Sequence, residues 1–224
     1  IFYPADDVII AIGQENKFEW IERDLGIEFD KWGMPVLNVA TFSSNYNLYG
    51  NLSWRVMETL RIVMGAENVE VYSVDEAFLN LDGFATENLQ QIGINIRETV
   101  EQWTGIKVSV GVAPTKGLSK VANRLAKKHK LATGCVLVLD TREKINKALQ
   151  DTPIGEVWGV GRQYAQKLMD MNAVFTAFDL TKKTEEWANK NLGGVVGVRL
   201  IKELNGKPAN TMKEELTVKK MITT

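Results

Sequence analysis

The sequence predicts an α+β fold followed by a small all-helical unit. Two short strands with almost nothing between them predict an antiparallel hairpin within residues 68–83. Helical and strand-like segments alternate from there to about residue 140, which is typical of helices on one face of an antiparallel sheet. Beyond Thr141 the pattern changes to short helices separated by Gly, Pro and Asp, so we place a domain boundary near 140.

The elements follow from the spacing of apolar residues. We expect strands near 7–12, 69–74, 77–81, 106–112 and 136–139, and helices near 15–24, 87–103 and 116–128. Residues 42–50 lead into a further helix, and residues 141–210 contain no convincing strand. The polar composition of the tail 211–224 predicts a linker. The apolar face of the helix after residue 50 is expected to contain Leu52, Val56, Leu60 and Val63.

Composition excludes several classes of protein. The 224 residues are 45% hydrophobic and 25% charged, and no apolar run approaches the ~18 residues of a membrane span. Cys135 is the single cysteine, which rules out an internal disulfide framework and fits a reducing, cytoplasmic location. His129 is the single histidine, so one chain cannot build a multi-histidine metal site. The formal net charge of −1, taken alone, argues against a nucleic-acid binder.

The adjacent carboxylates of Asp75 and Glu76 are the sharpest chemical feature. Neighbouring side chains on a regular strand point to opposite faces, so both reach one site only where the strand ends or bends. Carboxylates held close together repel, and a divalent cation such as Mg²⁺ relieves the repulsion by taking hard oxygen ligands. The pair is flanked by apolar residues, so we expect an acidic notch in a buried sheet. An exposed acidic turn remains the alternative.

A basic segment, KGLSKVANRLAKKHK, covers residues 116–130. It holds six of the 27 Lys and Arg residues and no carboxylate, which leaves the rest of the chain at −7. Lys116, Lys120 and Lys127 share a helical face, and the apolar residues of the segment can pack on the opposite side. We favour phosphate binding, by a nucleotide or by a nucleic-acid backbone, over a merely solvated helix face. The basic residues are Lys116, Lys120, Arg124, Lys127, Lys128 and Lys130.

A glycine turn lies between two short helical patterns. Gly159 and Gly161 would expose backbone N–H groups at a helix N-terminus, with Arg162 directly after them. Such a turn is an anion site, although a Gly-x-Gly sequence alone is weak support for one. Its position between paired helices indicates a helix-hairpin-helix, a motif that binds a phosphate backbone without contacting the bases.

These motifs together resemble the Y-family DNA polymerases, in particular the UmuC subgroup. The resemblance runs in order through SSNYNLYGNLSWRVM, VYSVDEAFLNLDG, GVAPTKGLSKVANRLAKK, VWGVGRQYAQKL and ELNGKP. It implies partial fingers at 1–41, the polymerase palm at 42–140, the helix-hairpin-helix thumb at 141–210, and at 211–224 a linker toward a little-finger domain.

The resemblance also implies roles for single residues in error-prone translesion synthesis during DNA damage (SOS) repair. Asp75 and Glu76 match two of the three ligands of a two-metal Mg²⁺ site. Lys127 matches a residue that contacts the incoming triphosphate, and Lys17 matches a second one in the fingers motif. The turn at 159–161 matches the part of the thumb that holds the DNA backbone. Primer-template DNA and deoxynucleoside triphosphates are the implied substrates, and a processed UmuD-type subunit and the sliding clamp are candidate partners.

The N-terminus departs from the family pattern. The strand that carries the first metal-binding Asp, and the aromatic gate after it, are not matched, and Asp6 and Asp7 lie in the wrong motif to replace that ligand. We therefore expect this chain to be catalytically impaired. A non-catalytic DNA-binding remnant is the main alternative. A metal-dependent nuclease or cyclase-like palm is the other, and the helix-hairpin-helix argues against a cyclase.

Overall fold

The computed structural model describes residues 46–84 and 88–212, together with the backbone of residues 28–29 and 35–36. The expected strand near 7–12, the helix near 15–24 and the tail beyond 212 lie outside these residues. The chain divides by its internal contacts into two units, 1–51 and 52–224, and the site described below lies in the second unit.

The described strands pair two by two. β1 pairs with β2 and β3 with β4, both antiparallel, whereas β5 and β6 are parallel. The strands are β1 (Glu28–Phe29), β2 (Pro35–Val36), β3 (Val69–Val71), β4 (Ala77–Leu79), β5 (Val110–Val112) and β6 (Val136–Val138). The helices are α1 (Tyr46–Met64), α2 (Leu89–Thr104), α3 (Lys116–Lys128), α4 (Lys130–Thr133), α5 (Arg142–Gln150), α6 (Arg162–Asn172), α7 (Ala177–Thr181), α8 (Glu185–Asn191) and α9 (Val195–Leu204). None of the helices in the described part of the chain is long and apolar enough to cross a membrane.

The antiparallel hairpin β3–β4 is confirmed. Val69 lies opposite Leu79 and Val71 opposite Ala77. Strict alternation would place the two valines on the buried face, but Val71 is 39% exposed and Glu70 only 5%. The side chain of Glu70 is therefore buried within the protein.

The expectation of a single antiparallel sheet is wrong for β5 and β6. Val110 pairs with Val136 and Val112 with Val138 in parallel register. The physical reason is the connection between them, because α3 carries the chain back to the end of the sheet at which β5 began. The result is a strand–helix–strand unit beside the antiparallel hairpin.

The helices cover both faces of this parallel pair, and not one face as expected. Gly93 of α2 lies so close to β6 that an added Cβ would be 2.7 Å from a methyl group of Val136. A Cβ on Gly111 would instead be 2.1 Å from the backbone nitrogen of Asn123 on α3. Side chains alternate along β5, so α2 packs against the face of Val110 and α3 against the face of Gly111.

A small buried cluster lies under α1. Met57, Leu60 and Met64 of α1 are buried together with residues of β3 and α2. Val63 was expected on this face but is 41% exposed. Met57 and Met64, which were not among the residues expected on this face, lie on the buried side of the helix instead.

Residues 141–210 form helices α5 to α9, with an isolated bridge between Pro153 and Thr176. The main buried cluster of the described residues extends from Leu118 on α3 to Leu204 on α9. Residues on both sides of position 140 thus share one core, and the boundary there stays a prediction. The apolar side of α3 is buried as expected, at Leu118, Val121, Ala122 and Leu125.

Candidate functional site

A cleft of about 650 Å³ opens beside the hairpin β3–β4. Its walls come from the hairpin, from β5, from the first turns of α3 and from the segment after α9. Its polar lining includes Asp75, Glu76, Ser109, Lys116, Lys120 and Asn123.

The acidic pair lies on the loop that joins β3 to β4, where strand geometry no longer holds. The backbone N–H groups of Tyr72 and Ser73 both donate to the carbonyl oxygen of Glu76, at 3.0 Å each. Asp75 is exposed, and its Oδ1 accepts a hydrogen bond of 2.6 Å from the Ser73 hydroxyl. The loop is thus ordered by its own hydrogen bonds while the Asp75 carboxylate faces solvent.

The ammonium of Lys116 joins three segments. Its Nζ donates to a carboxylate oxygen of Glu70 and, at 2.9 Å, to the carbonyl oxygen of Thr211. It also lies 4.8 Å from the centre of the Phe78 ring, a cation–π distance. Exposed fractions of 11% for the Lys116 side chain and 6% for that of Glu70 make this a nearly buried ion pair. The sequence predicts a DNA contact for Lys116, but its ammonium bonds within the chain.

Lys120, one turn further along α3, bonds directly to one residue of the acidic pair. Its Nζ donates to a carboxylate oxygen of Glu76. The same ammonium lies 5.7 Å from the ring centre of Tyr72 and 6.0 Å from that of Trp158. Glu76 therefore has a cationic partner in place, whereas Asp75 has none among the described residues.

Arg124 forms the third ion pair of the helix. Its Nε donates to Glu156 at 2.7 Å. This hydrogen bond lowers the pKa of the Glu156 carboxyl, and the attraction of Lys128 adds to the effect. The same bond raises the pKa of the Arg124 guanidinium, so both groups favour their charged forms.

The last turn of α3 is different. Lys127 and Lys128 are exposed, and no ion pair to either is recorded within residues 46–84 and 88–212. Lys127, which matches the triphosphate-contacting residue, is thus available to an anion from outside.

The glycine turn has the expected open geometry. Gly159 has φ +87°, a left-handed conformation that favours glycine. A Cβ on Gly159 or Gly161 would meet nothing within 4 Å, so the turn faces open space. Helix α6 begins at Arg162 with no side-chain cap, which leaves its first N–H groups without a capping acceptor from Gly161.

The described residues can supply two of the metal ligands that the sequence predicts. No group of three or more Asp, Glu, Cys or His side chains within them could hold a metal ion. Asp75 and Glu76 offer hard carboxylate oxygens at the cleft, which suits Mg²⁺, because that ion is often held by one or two carboxylates plus water and phosphate. The predicted site residue Lys17, and Asp6 and Asp7, lie outside the described residues.

Sequence reasoning missed the acidic partners of α3. Glu70, Glu76 and Glu156 come from three different segments and pair with Lys116, Lys120 and Arg124. One available signal was the charge count: the segment 116–130 carries +6 in a chain of −1, so the rest of the chain carries −7 and can supply acidic partners.

Glu203 was missed as well. It is 1% exposed and accepts hydrogen bonds from the backbone N–H groups of Gly117 at 2.8 Å, Ala209 at 2.7 Å and Asn210 at 2.9 Å. The Thr115 hydroxyl donates to its carbonyl oxygen at 2.7 Å. Glu203 thus ties the start of α3 to the segment that follows α9, and this segment forms part of the cleft.

Comparison with known proteins identifies relatives over most of the chain. A model of the impB/mucB/samB family matches residues 31–124. Protein UmuC of Salmonella typhimurium is 39% identical over 185 residues, which are 82% of this chain and 43% of that protein. Protein MucB of Escherichia coli is 37% identical over 83% of this chain and 43% of that protein. A DNA polymerase IV of Brucella melitensis is 32% identical over 81% of this chain and 39% of that protein. The chain thus spans less than half the length of these relatives.

Solved structures agree on the fold. The crystal structure of DinB from Sulfolobus solfataricus aligns with a TM-score of 0.62 and 25% identity, over 81% of this chain and 53% of that chain. A Y-family DNA polymerase chimera aligns with a TM-score of 0.64 and 24% identity, over 87% and 56% of the two chains. This chain is a relative of the UmuC, ImpB, MucB and SamB proteins, and it has the fold of the Y-family DNA polymerases over the part that it covers.

Proposed function

We propose that this protein is a DNA-directed DNA polymerase of the error-prone translesion type, acting on primer-template DNA and deoxynucleoside triphosphates in DNA damage (SOS) repair. The observation that carries the proposal is the Asp75–Glu76 pair on a hairpin loop at a cleft, beside the cationic helix α3. Kinship with UmuC and with a DNA polymerase IV supports it.

Within this proposal the chain is organised as in the family. Residues 1–41 belong to the fingers, 42–140 to the palm and 141–210 to a thumb with a helix-hairpin-helix, and 211–224 lead toward a little-finger domain. The hairpin β3–β4 and the parallel pair β5–β6 support the palm assignment, and the succession α5 to α9 supports the thumb.

Asp75 and Glu76 would hold the divalent cations of the site. Bound Mg²⁺ would neutralise the triphosphate and activate the primer 3′-hydroxyl, as in other two-metal sites. The exposed Asp75 carboxylate can take a cation without losing a cationic partner among the described residues. Glu76 has to exchange the Lys120 ammonium for the cation, or share its second oxygen.

The cations of the protein would hold the phosphates. Lys127 is exposed near the end of α3 and, with Lys17, would contact the triphosphate. Gly159, Gly161 and Arg162 would hold the DNA backbone through N–H groups and charge, which positions the duplex without reading its bases. Lys116 and Lys120 could add phosphate contacts only by giving up Glu70 and Glu76, so we give them less weight.

A primer-extension assay with Mg²⁺ tests the proposal. Because the first metal-binding Asp of the family is not matched, we expect impaired extension by the unaltered chain. Asp75→Asn and Glu76→Gln should each abolish the extension that remains, while the affinity for primer-template DNA, measured by fluorescence anisotropy, stays close to that of the unaltered chain. Glu98→Gln, which alters an exposed acid on α2, is the matched control and should extend as the unaltered chain does. Extension by either active-site variant at the level of the unaltered chain would refute the metal assignment.

A non-catalytic DNA-binding protein of polymerase descent is the second candidate. The observation that favours it is the Lys120–Glu76 ion pair, in which an ammonium already bonds to an oxygen of one of the two carboxylates. DNA binding with no extension by the unaltered chain, at saturating Mg²⁺ and nucleotide, would support this candidate. Pull-down with a processed UmuD-type subunit or the sliding clamp would test the partners that kinship suggests for either candidate.

A further inference from the structure

Three aromatic rings connect the acidic loop to the glycine turn. The ring centres of Tyr72 and Trp158 are 5.7 Å apart, in an edge-on arrangement. Phe78 lies 5.5 Å from Tyr72 and 6.0 Å from Trp158. The indole Nε1 of Trp158 also donates a 3.3 Å hydrogen bond to the Tyr72 hydroxyl. Edge-on aromatic pairs fix the relative orientation of their rings, so this contact defines how the two segments face each other.

Each end of this contact adjoins a functional group of the proposed site. Tyr72 is the first residue of the acidic loop, and its backbone N–H donates to the carbonyl oxygen of Glu76 at 3.0 Å. Trp158 directly precedes Gly159 in the turn that would hold the DNA backbone. Lys120 contacts both rings and the Glu76 carboxylate.

The turn is firmly held on its other side. Val157 and Val160, the neighbours of Trp158 and Gly159, are 3% and 7% exposed and belong to the main buried cluster. Because packed interiors are stiff, these two buried valines restrict the movement of the turn when a ligand binds to it. On the side of the acidic loop, Trp158 contacts this loop through its hydrogen bond to the Tyr72 hydroxyl.

We infer that Trp158 is a positioning residue that couples DNA binding at the turn 159–161 to cation binding at Asp75 and Glu76. This inference rests on the proposed function, because it takes the ligands of the two sites from it. When DNA fixes the turn, Trp158 fixes Tyr72 through their ring contact and hydrogen bond, and the loop presents its carboxylates in one arrangement. Linkage requires the reverse effect as well, so bound cation must tighten DNA binding by the same factor.

The test measures binding and not activity. The affinity of the full chain for Mn²⁺, used as a paramagnetic probe of the Mg²⁺ site, is determined with and without a primer-template duplex. In the unaltered chain we expect DNA to tighten Mn²⁺ binding by at least about fivefold. In Trp158→Phe, which keeps an aromatic ring and loses the indole N–H, we expect that ratio to fall by about threefold.

Trp103→Phe is the matched control, because Trp103 is 56% exposed near the end of α2 and has no recorded contact with the loop or the turn among the described residues. It should keep the full ratio. Tyr72→Phe removes the same hydrogen bond from the other side, and it replaces Trp158→Phe as the decisive variant if the latter fails to fold. An unchanged ratio in the folded variant overturns the inference alone. Failure of the unaltered chain to bind DNA or Mn²⁺ would instead overturn the proposed function, and the inference with it.

Discussion

The two ends of helix α3 use the same kind of side chain for different purposes. In the first turns Lys116, Lys120 and Arg124 bond to carboxylates from distant segments. In the last turn Lys127 and Lys128 are exposed, and no ion pair to either is recorded within the described ranges. The first group of cations holds the hairpin and the turn in place, while the second is available to a ligand. A helical face of lysines is therefore not automatically a binding surface.

The largest effect should come from removing the buried cation. Lys116→Met leaves the buried Glu70 carboxylate without its ammonium, and breaking a buried pair costs about 3 kcal/mol of unfolding free energy. Urea unfolding measures this loss. Lys127→Met, at the other end of the same helix, is the control and should stay within ~0.5 kcal/mol. Equal losses in the two variants would contradict the distinction between the two ends.

Removing the acceptor that fixes the start of α3 should have the next largest effect. Glu203→Gln keeps the shape of the side chain but presents an NH₂ group to at least one of the N–H groups of Gly117, Ala209 and Asn210. We expect a loss of about 2 kcal/mol in urea unfolding. Glu186→Gln, an exposed acid on α8, should change little. If Glu203→Gln lost as little unfolding free energy as Glu186→Gln, these hydrogen bonds would not contribute to stability.

The available end of the helix should affect binding and not stability. Lys127→Ala should weaken the binding of deoxynucleoside triphosphate to the complex with primer-template DNA, and the plot of log affinity against log salt should become less steep because one ionic contact is lost. Lys144→Ala, an exposed lysine on α5, should leave the slope unchanged. An unchanged nucleotide affinity and an unchanged salt dependence in Lys127→Ala would show that this lysine does not contact the triphosphate.

The pair of Arg124 and Glu156 should give the smallest effect, visible in the pH dependence of stability. The folded chain lowers the pKa of Glu156, so the stability it contributes is fully present above the ordinary value of 4.5 and is lost as pH falls through the lower, folded value. Glu156→Gln should therefore be less stable than the unaltered chain at pH 7, by less than about 1 kcal/mol because the pair is partly exposed. Thermal unfolding at pH 7 and pH 3 should show the difference shrinking at the lower pH, and a constant difference would rule out this pair as its source.

The sequence predicts the individual helices and strands around the candidate site better than the contacts between them. The bounds of α3 and the antiparallel hairpin are confirmed, because periodicity and turn chemistry are local properties. The acidic pair lies on the hairpin loop as expected, but the notch in a buried sheet is wrong, because Asp75 and the neighbouring Val74 are exposed. The parallel pairing of β5 and β6 was missed, although a helix connecting two strands favours it. The ion pairs could not be predicted from spacing, since Lys116 and Glu70 are 46 residues apart and Arg124 and Glu156 are 32 apart. The family resemblance supplied the roles, and spacing alone left the acidic turn and the solvated helix as open alternatives.

The long separation between the paired charges has a consequence for the order in which the protein folds. The partners of Lys116 and Lys120 lie 46 and 44 residues away along the chain. These bonds can form only after the two ends of the intervening chain segment come together, and the entropy cost of that closure makes the step slow. If they form after the main barrier, weakening them accelerates unfolding and leaves the refolding rate almost unchanged. The salt bridges of α3 would then chiefly slow unfolding. They would determine how long the acidic loop keeps its folded conformation, and not how fast that conformation forms.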